Sequence, residues 1–117
     1  MSEIVKYERD GAVAIVTLQR PESLNAFDTD LRAATVDALE KAGKDDSRVV
    51  IFTGEGRSFS AGADLKAGVD RDVTRILLNE YRPVLETIAD IPKPVIAAIP
   101  GSAAGIGMSM ALQCDLV

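Results

Sequence analysis

Hydrophobic and polar positions change their period several times along this chain, and each change marks an element. Ile4 to Tyr7 and Val13 to Leu18 are rich in Val, Ile and Thr and read as two strands. Asp10-Gly11 between them is a hairpin signal. Arg20-Pro21 ends the second strand and opens a turn. Asp28 is placed to cap a helix over Thr29 to Ala42, where Leu31, Ala34, Val36, Ala38 and Leu39 recur at roughly helical spacing. Gly43 suits the end of that helix. Val49 to Phe52 is a short continuous apolar run, the pattern of a parallel strand buried on both faces.

Thr53 to Ser60 reads as a loop that leads into Ala61-Gly62-Ala63-Asp64. Val73 to Ile91 follows as a long helix, with Ile76, Leu77, Tyr81, Val84, Leu85 and Ile88 on one side. Pro83 inside it predicts a kink or a division, and Pro92 and Pro94 end it. Val95 to Ile99 is another buried strand, Gly101 to Gly107 a turn, and Met108 to Gln113 the beginning of a further helix. Cys114 to Val117 has the residue types of a strand beginning. Strands alternating with helices in this order predict an α/β fold. A strand just begun at Val117 predicts that residues 1–117 are the N-terminal part of one larger domain.

Composition narrows the chemistry. With 117 residues, 47% of them hydrophobic, the chain is at most one domain and has enough apolar material for a core. The net charge is −5, with no basic stripe and no interleaved aromatics, which argues against nucleic acid as a partner. No apolar run approaches the roughly 20 residues that span a bilayer, so no membrane association is expected. The chain has no histidine and one cysteine, Cys114. A Ser-His-Asp triad, a His-ligated metal and an internal disulfide are therefore unavailable within these residues, and no metal site is expected. A lone cysteine and no secretory h-region after Met1 fit a cytoplasmic location.

Two stretches carry the candidate chemistry: Arg57 to Leu65 (RSFSAGADL) and Lys93 to Asp115 (KPVIAAIPGSAAGIGMSMALQCD). Each reads as a buried strand running into a small-residue turn and then a helix start. Such turns leave backbone N–H groups unpaired and pointing outward. Two of them face to face would offer two donors to one oxygen gaining negative charge. A rival reading of Gly101, Gly105 and Gly107 is a nucleotide-binding turn of the short-chain-dehydrogenase kind, in which glycines let the backbone approach a pyrophosphate. That turn belongs near a chain's N-terminus and leaves RSFSAGADL unexplained. An inert assembly fragment is a third reading.

LQRPESLNAFD, VVIFTGEGRSFSAGADL and IPKPVIAAIPGSAAGIGMSMALQCDLV, in this order and spacing, resemble the N-terminal half of the crotonase superfamily, the enoyl-CoA hydratases and isomerases, from about Val13 to Val117. SAAGIGMSMAL is most similar to bacterial isomerases of the phenylacetate-degradation type. The resemblance implies a crotonase-like (ClpP/crotonase) fold, a repeated ββα spiral of which this is the N-terminal half. It implies binding of an acyl-CoA thioester, with coenzyme A as part of the substrate and no separate cofactor. It implies a homo-oligomer, a trimer or hexamer in full-length members.

Carried over by motif, the backbone N–H groups of Ala63 and Ile106 would hold the thioester oxygen as it becomes enolate-like. The family usually has Gly at the second position, and Ile106 departs from it. Ala61, Gly62, Asp64, Leu65, Lys66 and Gly105 would line the thioester and pantetheine, and Leu24 and Ala26 would border the CoA head group. Arg20 and Lys66 are candidate phosphate contacts. Ser109 stands where hydratases carry the first of two glutamates, and a serine cannot act as a carboxylate acid/base near neutral pH. That points to isomerase-type chemistry in the full-length protein and to no turnover by these residues alone. The second acid would lie beyond Val117.

Plainer readings sit beside these. Ser109 suits an early-helix residue bonded to backbone. Asp64 suits a helix cap, and Glu55, Asp70 and Asp72 suit solvated charges. Met108 and Met110 read as core or pocket lining, and Cys114 as a small buried residue.

Overall fold

The computed structural model describes residues 3–63, 79 and 81–117. Four strands form one mixed sheet in the order β1-β2-β3-β4. β1 (Val5–Asp10) and β2 (Val13–Leu18) are an antiparallel hairpin in register Asp10↔Val13, closed by Gly11 at φ 58°. β3 (Val49–Gly54) lies parallel to β2, and β4 (Val95–Ala98) parallel to β3. The first strand runs three residues past the expected Tyr7, because its polar half still pairs with the inner strand.

Register sorts the side chains by face. Ala14, Val16 and Leu18 align with Val50, Phe52 and Gly54, and Val50 and Phe52 in turn with Val95 and Ala97. All of these apolar side chains are buried. The alternate positions, among them Ile15, Ile51 and Ile96 in one cross-strand row, are half-buried, and Ala98 at the end of β4 is exposed. This corrects the expectation that β3 is buried on both faces. The period of two is visible in its burial even though both faces are apolar.

α1 (Thr29–Lys44) begins as expected, with the Asp28 carboxylate accepting the Leu31 N–H at 2.8 Å. Its buried face is Leu31, Thr35, Ala38, Leu39 and Ala42. Ala34 and Val36 are only half-buried, and Thr35 takes the inner position by donating its hydroxyl to the Leu31 carbonyl at 2.6 Å. The helix passes Gly43, which is not left-handed here, and ends at Lys44. Its terminal carbonyls are met instead by Lys93, whose ammonium donates to the carbonyls of Ala42 (2.6 Å) and Asp45 (2.9 Å). The same ammonium reaches the Asp45 carboxylate at 2.8 Å and the Ser47 hydroxyl at 2.9 Å. Tyr7 also donates its hydroxyl to Asp45. This half-buried knot fastens β1, the end of α1 and the start of β4 together.

α2 (Arg82–Asp90) carries Pro83 in its first turn, where no helical N–H is needed, and buries Val84 and Ile88. Within the expected Val73–Ile91 helix, residues 79 and 81 are π-helical and lead into α2 at Arg82, and residues 73–78 and 80 lie outside the described residues. α3 (Ile106–Gln113) starts two residues earlier than predicted. Leu116 then bridges Ile96 in parallel, with the Ala97 N–H donating to the Leu116 carbonyl at 2.8 Å, as the residue types there predicted. Phe52 and Phe59 meet edge to face at 5.0 Å in the core below the loops that follow β3 and β4.

Candidate active site

β3 and β4 are parallel neighbours, so the loops at their C-terminal ends emerge side by side. The two loops then stay together. The Phe59 N–H donates to the Ser102 carbonyl at 2.8 Å, and the Ala104 N–H to the Ser60 carbonyl at 3.0 Å. The Ser58 and Ser102 hydroxyls meet at 3.2 Å. The approach is so close that a Cβ on Gly101 would lie 2.3 Å from the Arg57 carbonyl oxygen, and one on Gly107 would lie 2.6 Å from that of Ser60. Only glycine permits such contact between backbones.

A third segment braces the pair. The Ala61 N–H donates to the Leu24 carbonyl at 2.9 Å, and the Phe27 N–H to the Gly62 carbonyl at 2.7 Å. Leu24 and Asn25 both have φ 54°, so this segment bends through two consecutive left-handed residues. Asn25 is completely buried. Its side chain accepts the Arg20 N–H at 2.7 Å and donates to the carbonyls of Glu55 (3.1 Å) and Ser58 (2.9 Å). The equally buried Ser60 donates its hydroxyl to the Asn25 carbonyl at 2.8 Å and accepts the Gly62 N–H at 3.1 Å.

At the meeting point the chain turns twice through positive φ, at Gly62 (100°) and Gly105 (56°). A Cβ on Gly62 would stand 3.6 Å from the Gly105 Cα. The next residue in each turn is Ala63 and Ile106, respectively. Neither N–H has an acceptor among the described residues. Ile106 is also the first residue of α3, where the positive end of the helix dipole falls. Ala61, Ala63 and Gly105 are exposed, whereas Gly62 is buried beneath them.

The expected site residues Leu24, Ala26, Ala61, Gly62, Ala63, Gly105 and Ile106 thus converge. Leu24 is half-buried and Ala26 buried, so Leu24 has the more surface to offer of the two. Asp64, Leu65 and Lys66 lie outside the described residues, as do Asp70 and Asp72. Ser109 is exposed one turn into α3, its hydroxyl 3.5 Å from the Gly105 carbonyl, in keeping with an early-helix serine. Glu55 is exposed. One expectation is corrected. Arg20 pairs its guanidinium with Asp28, so its charge steadies the cap of α1 rather than standing free for a phosphate. Met110 is core, as one of the two readings had it, and Met108 is 51% exposed, on the same side of α3 as Leu112.

Burial alone would raise the Asp28 carboxyl. The Leu31 N–H and the Arg20 guanidinium outweigh it and hold that carboxyl below its ordinary range. Among the described residues no His, Cys, Asp and Glu cluster could hold a metal ion. No described helix is long and apolar enough to cross a membrane.

Residues 8–117 match the family model for enoyl-CoA hydratase/isomerase. The chain belongs to the enoyl-CoA hydratase/isomerase family. A probable enoyl-CoA hydratase of Rhodobacter capsulatus is 38% identical over 97% of this chain and 44% of its own length. The 1,2-epoxyphenylacetyl-CoA isomerase of Escherichia coli is 36% identical over the whole chain and 47% of its own length. The crystal structure of an enoyl-CoA hydratase from Thermoplasma volcanium superposes with a TM-score of 0.88 at 36% identity, covering 97% of this chain and 47% of that one. The fold is therefore the crotonase fold of these hydratases, and the chain spans about half the length of the relatives it matches. Membership covers the Gly101–Gly107 segment that could have been a dinucleotide turn.

Asn25, Ser60 and Lys93 were not singled out from the sequence of this family member. Asn25 carried a usable signal, an Asn between apolar residues in a turn, where left-handed backbone is tolerated. Ser60 sits inside a motif read only for its glycine and alanines. Lys93 had no signal, because its partners lie 46 to 51 residues away.

Proposed function

We propose that this chain binds an acyl-CoA thioester and polarises its carbonyl with the Ala63 and Ile106 N–H groups. The observation that carries the reading is a pair of adjoining turns, each followed by an N–H without a described acceptor, one of them opening a helix. A thioester oxygen seated there would gain charge as a proton leaves the neighbouring carbon, and fixed dipoles stabilise such charge without reorganising. Each donor is worth about 2.7–4 kcal/mol of transition-state stabilisation in comparable sites. The exposed faces of Ala61, Ala63 and Gly105, with Leu24, would flank the thioester and pantetheine. Asp64, Leu65 and Lys66 would continue that lining.

The chemistry proposed for the complete domain is isomerase-type, a proton moved between carbons, rather than hydration. Ser109 offers a hydroxyl already turned toward the Gly105 carbonyl and no carboxylate. An acid from the remaining half of the domain would move the proton. Residues 1–117 alone would bind acyl-CoA weakly at best and turn nothing over. The complete protein would be a cytoplasmic homo-oligomer, a trimer or hexamer, needing no cofactor beyond the CoA of its substrate.

Calorimetric titration of this chain with acetoacetyl-CoA, CoA and NADH tests the binding. Acetoacetyl-CoA binds more tightly than CoA, and NADH does not bind. Equal affinity for acetoacetyl-CoA and CoA would remove the thioester contact, and with it the reading. In the complete protein, crotonyl-CoA hydration as fast as that of typical two-glutamate hydratases would overturn the isomerase assignment.

A further inference from the structure

We propose that Ser60 is a positioning residue of the two-donor site, its hydroxyl fixing the Ala63 turn and its backbone carbonyl meeting the Ile106 turn; this rests on the acyl-CoA reading above. Ser60 is fully buried and occupies the point where all three segments meet. Its hydroxyl accepts the Gly62 N–H at 3.1 Å, one residue before the first donor. Its carbonyl accepts the Ala104 N–H at 3.0 Å, two residues before the second donor. Its hydroxyl proton goes to the Asn25 carbonyl at 2.8 Å, tying both turns to the segment of Leu24 and Phe27.

The first turn of α3 rests on the same residue. A Cβ at Gly107 would fall 2.6 Å from the Ser60 carbonyl oxygen and 2.8 Å from its Cβ. Bulk cannot be added on either side of this contact. The Ser60 hydroxyl thus satisfies a donor and an acceptor in a space that admits nothing larger, and it anchors the Gly62 turn to the Asn25 segment while the backbone carbonyl of the same residue holds the Ala104 turn. An alanine would leave the Gly62 N–H and the Asn25 carbonyl without these partners in a dry site. The Gly62 turn would then rotate to find others and carry the Ala63 N–H out of line with that of Ile106.

The test compares wild type, Ser60→Ala and Thr35→Val. Thr35 is an equally buried hydroxyl donating to a carbonyl at 2.6 Å, but within α1. Infrared difference spectra of bound acetyl-CoA, carbon-13 labelled at the thioester carbonyl, report polarisation directly. Titrations with acetoacetyl-CoA and CoA give the affinity ratio. Wild type lowers the carbonyl frequency. Ser60→Ala is expected to keep CoA affinity within about twofold, lose most of the frequency shift, and cut the acetoacetyl-CoA to CoA affinity ratio roughly tenfold or more, the low end for a charge-assisted hydrogen bond. Thr35→Val keeps the shift at comparable loss of melting temperature.

A full carbonyl shift in Ser60→Ala, or an equal loss in Thr35→Val, overturns the proposal. If Ser60→Ala does not fold, Ser60→Cys is judged by the same criteria, since sulfur is a poor acceptor of nearly the same size. No shift in wild type refutes the acyl-CoA reading itself, and this proposal with it.

Discussion

Asn25→Ala removes the brace that holds the Leu24 segment against the loop after β3. The residue is completely buried and its side chain makes three hydrogen bonds, to the Arg20 N–H and the carbonyls of Glu55 and Ser58. Glu55 is exposed, so its carbonyl can turn to water. The Arg20 N–H and the buried Ser58 carbonyl are left without partners, at about 1–3 kcal/mol each. Alanine at φ 54° adds about 1 kcal/mol of left-handed strain that asparagine largely avoids. The expected loss is therefore about 3–7 kcal/mol, against a typical total stability of about 5–15 kcal/mol. Urea unfolding followed by far-UV circular dichroism measures it, and the midpoint should fall by roughly 1–3 M at an unchanged slope. Asn25→Gly should recover about 1 kcal/mol relative to Asn25→Ala, because glycine accepts the conformation. Asn25→Asp should rescue nothing, since a carboxylate would face the carbonyls of Glu55 and Ser58. A loss below about 1 kcal/mol in Asn25→Ala at constant slope would refute this account of the brace.

Three further outcomes are expected. Gly107→Ala places its Cβ 2.6 Å from the Ser60 carbonyl oxygen, so it should cost about 1–3 kcal/mol in the same unfolding assay and abolish acyl-CoA binding in a titration. Lys93→Met removes the ammonium from the half-buried Asp45 carboxylate, which keeps Arg9 at 3.5 Å and the Ser47 and Tyr7 donors, and should cost about 1.5–3 kcal/mol. Burial works to raise the Asp45 carboxyl, but Lys93, Ser47 and Tyr7 together hold it well below its ordinary 3.8. The stability it supplies is therefore complete above about pH 5 and is lost as pH falls through its lowered folded value; acid titration of Tm should show wild type losing this increment at low pH and Lys93→Met losing a smaller one, since Ser47 and Tyr7 still hold the carboxylate. The Cys114 thiol is pushed up to about 11, by burial first and then by the Asp115 charge, so alkylation near pH 8 should be about a hundredfold slower than for a free thiol and become fast on unfolding.

The amino-acid sequence determined the alternation of strands and helices, the Asp28 cap and the two small-residue turns. These rest on local chemistry: β-branched runs, an N-cap carboxylate, and glycines at positive φ. β2 was legible to the residue, because Val13 to Leu18 is flanked by a Gly turn and a Pro. Motif order carried the family, which the comparisons then showed. The ends of β1 and α1 were not legible. β1 is extended by a partner strand that supplies hydrogen bonds to its polar residues, and α1 is ended by a lysine far along the chain rather than by Gly43. Whether an arginine is free was equally hidden, since Arg20 meets its carboxylate only after a left-handed bend.

What only the tertiary structure decided is how the two turns are held. Sequence places Gly62-Ala63 and Gly105-Ile106 43 residues apart, and parallel pairing of β3 with β4 brings their loops together. The distances that matter, glycine against carbonyl and the Ser60 hydroxyl between two segments, are set by backbones packing at their contact limit. Local propensity determines which residues can bend. Long-range hydrogen bonding among buried backbone groups, each of which must find a partner once water is excluded, decides where the bent segments come to rest.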